Sequence, residues 1–382
     1  MTILFTTPIF NFPSKGGPEL RIENTIKALS NVANLIIYVR KEEFLISNKA
    51  KEFLSLYSKN IYYLDTKKSK EEMWNLLISI NCINIIWFGF GNISFSLMKY
   101  LKSISNIPLV CDTDSVWSRF ILRELDVENN DKKRLKILEQ GRIKETEEDN
   151  FVNFCDVTTA VSQIDMEYYQ NLANDKKRVH LFSNVVDLSF YENKKIKNIH
   201  NIKFPTLYLA GTFWEKSPME DSTRWFINNV FPDLKMKYSN IKLYIVGRNS
   251  KEIVGDLQSE NVIVTGEVES ILPYLKYIDI VLVPLRFESG TRFKILEAMA
   301  CKKPIVSTSL GAEGIQVSNK KDIFIADEVS DFYNCITKLL DNQILRKTFG
   351  ENGYSLVKNN FGIEQLIIQA KNILDYLSSK ND

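Results

Sequence analysis

The sequence predicts an α/β protein built from two doubly wound parallel sheets. Short β-branched or aromatic runs alternate with helical periods from end to end, the pattern of repeated βαβ units. The alternation lapses once, in a stretch rich in lysine and asparagine, and then restarts. Three of the runs after the restart end in glycine or a glycine-bearing turn, as sheets that bind nucleotides at their carboxyl edges often do. With 382 residues, each half is long enough to bury its own core.

The runs of the first half are TILFT, NLIIYV, INIIWF, PLVCD, DVTTAV and VHLFS. After TILFT an irregular loop reaches Gly16 and Gly17, and a helix is expected near Pro18. Proline suits a first helical position, and paired glycines let backbone amides turn toward a ligand; a plain turn fits the same residues. Met73 to Met98 holds no charged residue and is long enough to span a bilayer. Asn75, Asn81, Asn84, Gly89, Gly91 and Asn92 break it, however, so INIIWF reads as a buried strand between two helices.

PLVC runs into DTDSVWSRF, so Asp112 and Asp114 leave a sheet edge two residues apart, on one side if still extended. Such a pair can position hydroxyls; alternatively Asp114 or Ser115 caps a helix opening at Val116. A long polar helix follows from about Asp131 to Asn153. The strands of the second half are TLYLAG, IKLYIVG, NVIVTG, IDIVLVP, PIVST and DIFIA. The expected division is a first domain over 1–188, a linker over 189–203, a second domain over 204–360 and a final amphipathic helix within 361–382. Two such sheets facing each other leave a cleft, where the ligand is expected.

Phe287 to Ile315, FESGTRFKILEAMACKKPIVSTSLGAEGI, carries the most chemistry. It lies between two strands, and its helix is expected near Thr291, with Ser289 and Thr291 capping and Gly290 turning the backbone toward an anion. Arg292 and Lys294 then fall in the first turn, where a helix ordinarily prefers acids. A bound anion accounts for both cations. Glu297 lies roughly 9 Å further along the axis than Thr291 at the helical rise, suited to accept from ribose hydroxyls while the helix mouth holds phosphates. The bland alternative is a surface turn with solvated charges.

GTRFKILEAMACKKPIVSTSLGAEG closely resembles the signature of the large family of retaining, nucleotide-sugar-dependent glycosyltransferases with the GT-B fold (glycosyl transferases group 1, family 4-like). The resemblance is strong from Leu207 to Ala326 and weaker from Thr2 to Asp187. It implies two Rossmann-like domains facing across a cleft and a final helix crossing back to the first. It also implies that the amides around Ser289, Gly290 and Thr291, with Arg292 and Lys294, hold the donor diphosphate, and that Glu297 holds the ribose. Gly16 and Gly17 match the family's glycine-rich loop, and Lys216 lies where relatives place a basic residue on the diphosphate, although a solvated loop lysine fits equally. Arg248, after Gly247, falls near the expected base. Asp114 occupies the place of a histidine near the sugar and is a catalytic candidate with Lys294 and Glu288. The family glutamate eight positions before Glu297 is Ser289 here, with Glu288 displaced by one.

The implied reaction moves a sugar from a nucleoside diphosphate sugar to a hydroxyl of a glycan, lipid-linked or protein-linked acceptor. The donor is a co-substrate; no other cofactor and no metal is called for. Two alternatives share the fold: a nucleotide-sugar epimerase and a non-catalytic subunit that binds a transferase or its protein substrate.

A net charge of +2 argues against a nucleic-acid binder. The lysine clusters at Lys67 to Lys70, Lys132 to Lys136 and Lys194 to Lys197 read as solvated faces. Five widely spaced cysteines suit reduced thiols in a cytoplasm, and two histidines leave little material for a triad or zinc site. No secretory signal is read at the N-terminus. The expected place is the cytoplasm, with peripheral contact at the inner face of the cell membrane compatible with a lipid-linked acceptor.

Overall fold

The structure, a computed structural model, describes residues 1–14, 16–192, 196–198 and 200–380. They form two compact units. The first holds a seven-stranded sheet of β1 (Thr2–Thr7), β2 (Asn34–Val39), β3 (Asn60–Tyr63), β4 (Ile85–Gly89), β5 (Leu109–Asp112), β6 (Val157–Ala160) and β7 (Val179–Leu181). All pairings are parallel, in the order β3-β2-β1-β4-β5-β6-β7. Side chains alternate across the sheet. Ile3, Phe5 and Trp87 enter one core with Ile22 and Ile26 of the helix Gly17–Val32, whereas Leu4, Ile86 and Phe88 enter the other with Trp74 and Met98.

Sequence periodicity passed over β3. It is an edge strand whose Ile61, Tyr62 and Tyr63 are only half-buried, so it lacks the unbroken apolar run of its neighbours. The apolar stretch Met73 to Met98 is divided among the helix Lys70–Ile80, β4 and the helix Phe95–Ile104. Among the described residues no helix is long and apolar enough to cross a membrane.

The second unit holds β8 (Thr206–Ala210), β9 (Lys242–Val246), β10 (Val262–Gly266), β11 (Ile280–Val283), β12 (Ile305–Ser307) and β13 (Phe324–Ile325), again all parallel, in the order β10-β9-β8-β11-β12-β13. The chain runs outward from β8 through β9 to β10, then resumes on the other side of β8 at β11. The crevice outside the carboxyl ends of β8 and β11 is therefore the switch point at which doubly wound sheets bind ligands. The same reversal falls between β1 and β4 in the first unit, beside the loop that ends at Gly16. At the end of β9, Gly247 has φ of +138°, and a Cβ there would lie 1.9 Å from the Gly211 carbonyl oxygen, so that position requires glycine.

The units do not follow the expected division. The first comprises Met1–Ser118, Leu138–Val185 and the chain from Ile363 onward; the second comprises Arg119–Ile137 and Val186–Gly362. Residues 119–137 and 186–188, expected in the first domain, thus group with the second. Arg123 is bonded to Glu288 and Glu313, and the Val186 amide donates to the Phe361 carbonyl at 2.9 Å. The expected linker 189–203 opens as the helix Leu188–Glu192. Its later residues are docked on the second unit: the His200 ring stacks on Tyr274 at 4.3 Å, and the Tyr277 hydroxyl donates to the Ile196 carbonyl. Asn193, Lys194, Lys195 and Ile199 of that linker, and the last two residues of the C-terminal segment, lie outside the described residues.

Candidate donor-binding site

In the second unit, the chain leaves β11 through Pro284 to Arg292 and enters the helix Phe293–Ala300. The helix begins two residues later than expected, because Arg292 is extended and serves as the N-cap. The Arg292 side chain makes no capping bond to the helix amides, and the N-cap is not one of the two residues expected to cap, Ser289 and Thr291. The Ser289 hydroxyl is buried and has no hydrogen-bond partner, an uncompensated donor at the helix mouth. Gly290 takes a φ of +75°, which gives the loop its turn.

Arg292 is placed differently from the sequence expectation. It is 5 % exposed, and its guanidinium folds back onto its own loop, donating to the carbonyls of Ser289 and Gly290 and, at 3.4 Å, to that of Leu310. It shapes the loop instead of projecting a cation from it. Lys294 is the cation that is left over. Its ammonium meets the Met219 sulfur at 2.8 Å, a weak acceptor on the helix Pro218–Asn229 that follows β8. Burial pulls the Lys294 pKa down to about 8, against the opposing pull of Glu288. A lysine held on these terms gains most from an arriving anion.

Glu297 lies one turn further on and is strained in the opposite sense. Burial pushes its pKa up to about 7, although the Tyr191 hydroxyl donates to its Oε1 at 3.0 Å. Tyr191 was not foreseen. It lies 106 residues before Glu297 in a segment without apolar periodicity, so no local signal could have linked them. Its own backbone carbonyl accepts from Lys276 at 2.5 Å. Two titratable groups of opposite charge are thus both displaced toward neutrality on one short helix at the sheet's switch point, a pattern that makes them candidate site residues.

Replacing Glu297 by glutamine tests this electrostatic picture. A carboxyl raised from 4.5 to about 7 favours the folded state below pH 4.5, and that contribution is lost as pH rises through 7. Urea denaturation should therefore find the glutamine variant more stable than the parent by about 1–2 kcal/mol at pH 8, after discounting for solvent access, with the gap closed near pH 4. An equal gap at both pH values would contradict the assignment.

The remaining candidates are less tightly placed. Lys216, with φ of +59°, lies in the loop after β8, and its amide donates to Glu220 at 2.7 Å, leaving its ammonium near Glu124 and Glu128. Arg248 follows β9, is partly exposed, and lies 3.8 Å from Glu267. Glu288 is half-buried, and its carboxylate accepts from the Ser289 amide at 3.2 Å.

In the first unit Gly16 is the N-cap and Gly17 the first residue of the helix Gly17–Val32. Asp112 and Asp114 do not form a pair. Asp112 is fully buried, bonded to Arg21 and, at 2.7 Å, to the Thr159 hydroxyl, and Arg21 also reaches Asn184 at 2.8 Å. It is a structural ion pair. Asp114 instead accepts from the Trp117 indole at 3.1 Å, and burial raises its pKa to about 6.

Comparison with known proteins agrees with this architecture. A protein of Methanocaldococcus jannaschii named as an uncharacterized glycosyltransferase is 25% identical over 238 residues, covering 60% of this chain and 55% of the relative. The match thus spans about half of that relative's length. The crystal structure of Anabaena HepE in complex with UDP and glucose superposes with a TM-score of 0.71 at 14% identity, covering 98% of this chain and 99% of that one. Sucrose-phosphate synthase from Thermosynechococcus elongatus gives a TM-score of 0.71 at 14% identity, with 99% of both chains covered. The two-sheet α/β architecture is that of GT-B glycosyltransferase structures, and residues 205–342, which contain the loop, Lys294 and Glu297, match the model of the family described as Glycosyl transferases group 1.

Proposed function

We propose that the protein is a glycosyltransferase that moves a sugar, a hexose in the first instance, from a nucleoside diphosphate sugar to a hydroxyl acceptor with retention of configuration. The observation that carries the reading is the placement of Lys294 and Glu297, each half-buried and displaced toward neutrality, about one turn apart on the helix after β11, inside the segment that matches the glycosyl transferase family. As the glycosidic bond breaks, negative charge grows on the leaving diphosphate. An ammonium in the first turn of that helix, which among the described residues makes no ion pair, stabilises that charge with little reorganisation. Glu297 accepts from the ribose with the carboxylate oxygen that Tyr191 does not occupy.

No step assigned to these residues needs a metal ion, and the reaction is proposed to run without one. The acceptor is proposed to be a glycan, a lipid-linked or a protein-linked sugar, and the place of action the cytoplasm, including the inner face of the cell membrane. Asp114 and Glu288 are the side chains proposed to act near the sugar; the half-buried Glu288 adjoins the unpartnered Ser289 hydroxyl.

A panel of nucleoside diphosphate sugars tests the reading, with UDP-glucose first because the Anabaena structure holds UDP and glucose. Saturable binding by calorimetry is expected, weakened at least tenfold in Glu297→Ala, with slow donor hydrolysis or transfer detected by nucleotide release. Failure to bind any nucleoside diphosphate would remove the transferase reading and favour an interaction subunit. Binding with interconversion of the free donor would favour an epimerase.

A further inference from the structure

Arg123 is a charged residue that the donor site as described does not use. It ends the helix Trp117–Arg123, and the chain from Arg119 to Ile137 groups with the second unit. Its Nη1 donates to the Glu288 carbonyl at 2.7 Å and to Glu313 Oε1 at 2.8 Å, while its Nη2 donates to Glu313 Oε2 at 2.7 Å. This is the two-pronged guanidinium–carboxylate geometry that fixes both partners. The Phe120 ring packs near that of Phe287, at 6.4 Å between centroids.

Glu288 lies in the loop after β11 and Glu313 in the loop after the neighbouring β12, so Arg123 staples the two together. Arg292 makes a second staple from within, through Leu310. Between them, the carbonyls of Glu288, Ser289 and Gly290, three in succession, each accept from a guanidinium. In a trans peptide the carbonyl of one residue and the amide of the next point in opposite directions. Pinning these three carbonyls therefore aims the amides of Ser289, Gly290 and Thr291 the other way. The Ser289 amide already faces an anion, the Glu288 carboxylate at 3.2 Å.

From this geometry we infer that Arg123 is a positioning residue of the donor site. By holding the Glu288 carbonyl against the Glu313 brace, it presents a row of backbone amides to the diphosphate. The inference rests on the donor-site reading given above and predicts an effect on anion binding from a side chain that does not touch the anion.

The test measures UDP and GDP binding by calorimetry for the parent protein, Arg123→Ala, Arg123→Lys and Glu313→Gln, with thermal unfolding and amide hydrogen exchange alongside. Expected for Arg123→Ala is at least a tenfold loss of UDP affinity and faster exchange confined to residues 287–292, with an unfolding temperature close to the parent's. Arg123→Lys should recover only part of the affinity, since an ammonium keeps the charge but not the fork. If Arg123→Ala does not fold, the lysine and Glu313→Gln variants carry the test, each expected to lose threefold or more. Parent-like affinity in the alanine variant, or in both others, overturns the inference while leaving the donor site intact. A parent protein that binds neither nucleotide overturns the donor site and the inference with it.

Discussion

Replacing Lys294 by methionine should lower the rate of sugar transfer by about 10²–10³-fold, the range found when a preorganised donor to a developing anion is removed. It should do so in a protein that folds at least as well as the parent. Lys294 is half-buried, its ammonium meets the Met219 sulfur at 2.8 Å, and burial holds its pKa down to about 8. With a pKa depressed from 10.5 to about 8, the folded state bears the full penalty of burying the Lys294 charge below about pH 8, a penalty that fades as pH rises to 10.5, so an apolar residue of similar volume relieves it at pH 7. Activity and stability thus move in opposite directions, as at other sites where function keeps a strained group. Steady-state transfer assays with thermal unfolding at pH 7 measure both. A variant that loses activity only because it has unfolded would refute the assignment.

The second large effect is structural and lies in the first unit. Removing the Asp112 carboxylate leaves the Arg21 guanidinium buried at 3 % exposure without its counter-charge, which should cost about 3–5 kcal/mol. Asp112→Ala is therefore expected to shift the urea midpoint strongly or to prevent folding. A double variant, Arg21→Met with Asp112→Leu, should recover most of the loss because no isolated charge remains. A loss below about 1 kcal/mol in Asp112→Ala would contradict the buried-pair reading and return Asp112 to the candidates for chemistry.

These two aspartates show where sequence reading stops. Their two-residue spacing suggested a shared face. The direction each side chain took was decided instead by partners far along the chain, Arg21 and Thr159 for one and Trp117 for the other. The same holds at the candidate donor site. Glycine, lysine and glutamate at helical spacing could be read directly, since a helix mouth and one turn are local geometry. Arg292 could not, because the carbonyls that capture it exist only once the loop is folded. Tyr191 was out of reach for the same reason.

In the fold, long all-apolar strands were plain from their residues. The half-exposed edge strand β3 was not. The assignment of Arg119–Ile137 to the second unit depends on Arg123 finding Glu288 and Glu313, 165 and 190 residues away.

The first unit draws on three separate stretches of chain, the last beginning at Ile363. Leu366, Ala370, Ile373, Leu374 and Leu377 of the helix Ile363–Ser379 complete the core that Ile22 and Ile26 begin. During synthesis, then, the first unit is completed only after the residues of the second have been made. Until Ile363 and the residues after it are made, the face of the first sheet that Ile22 and Ile26 begin to cover lacks the part of its cover supplied by the helix Ile363–Ser379. The usual order, in which a domain can fold as soon as its own stretch is made, does not apply to a unit drawn from three stretches.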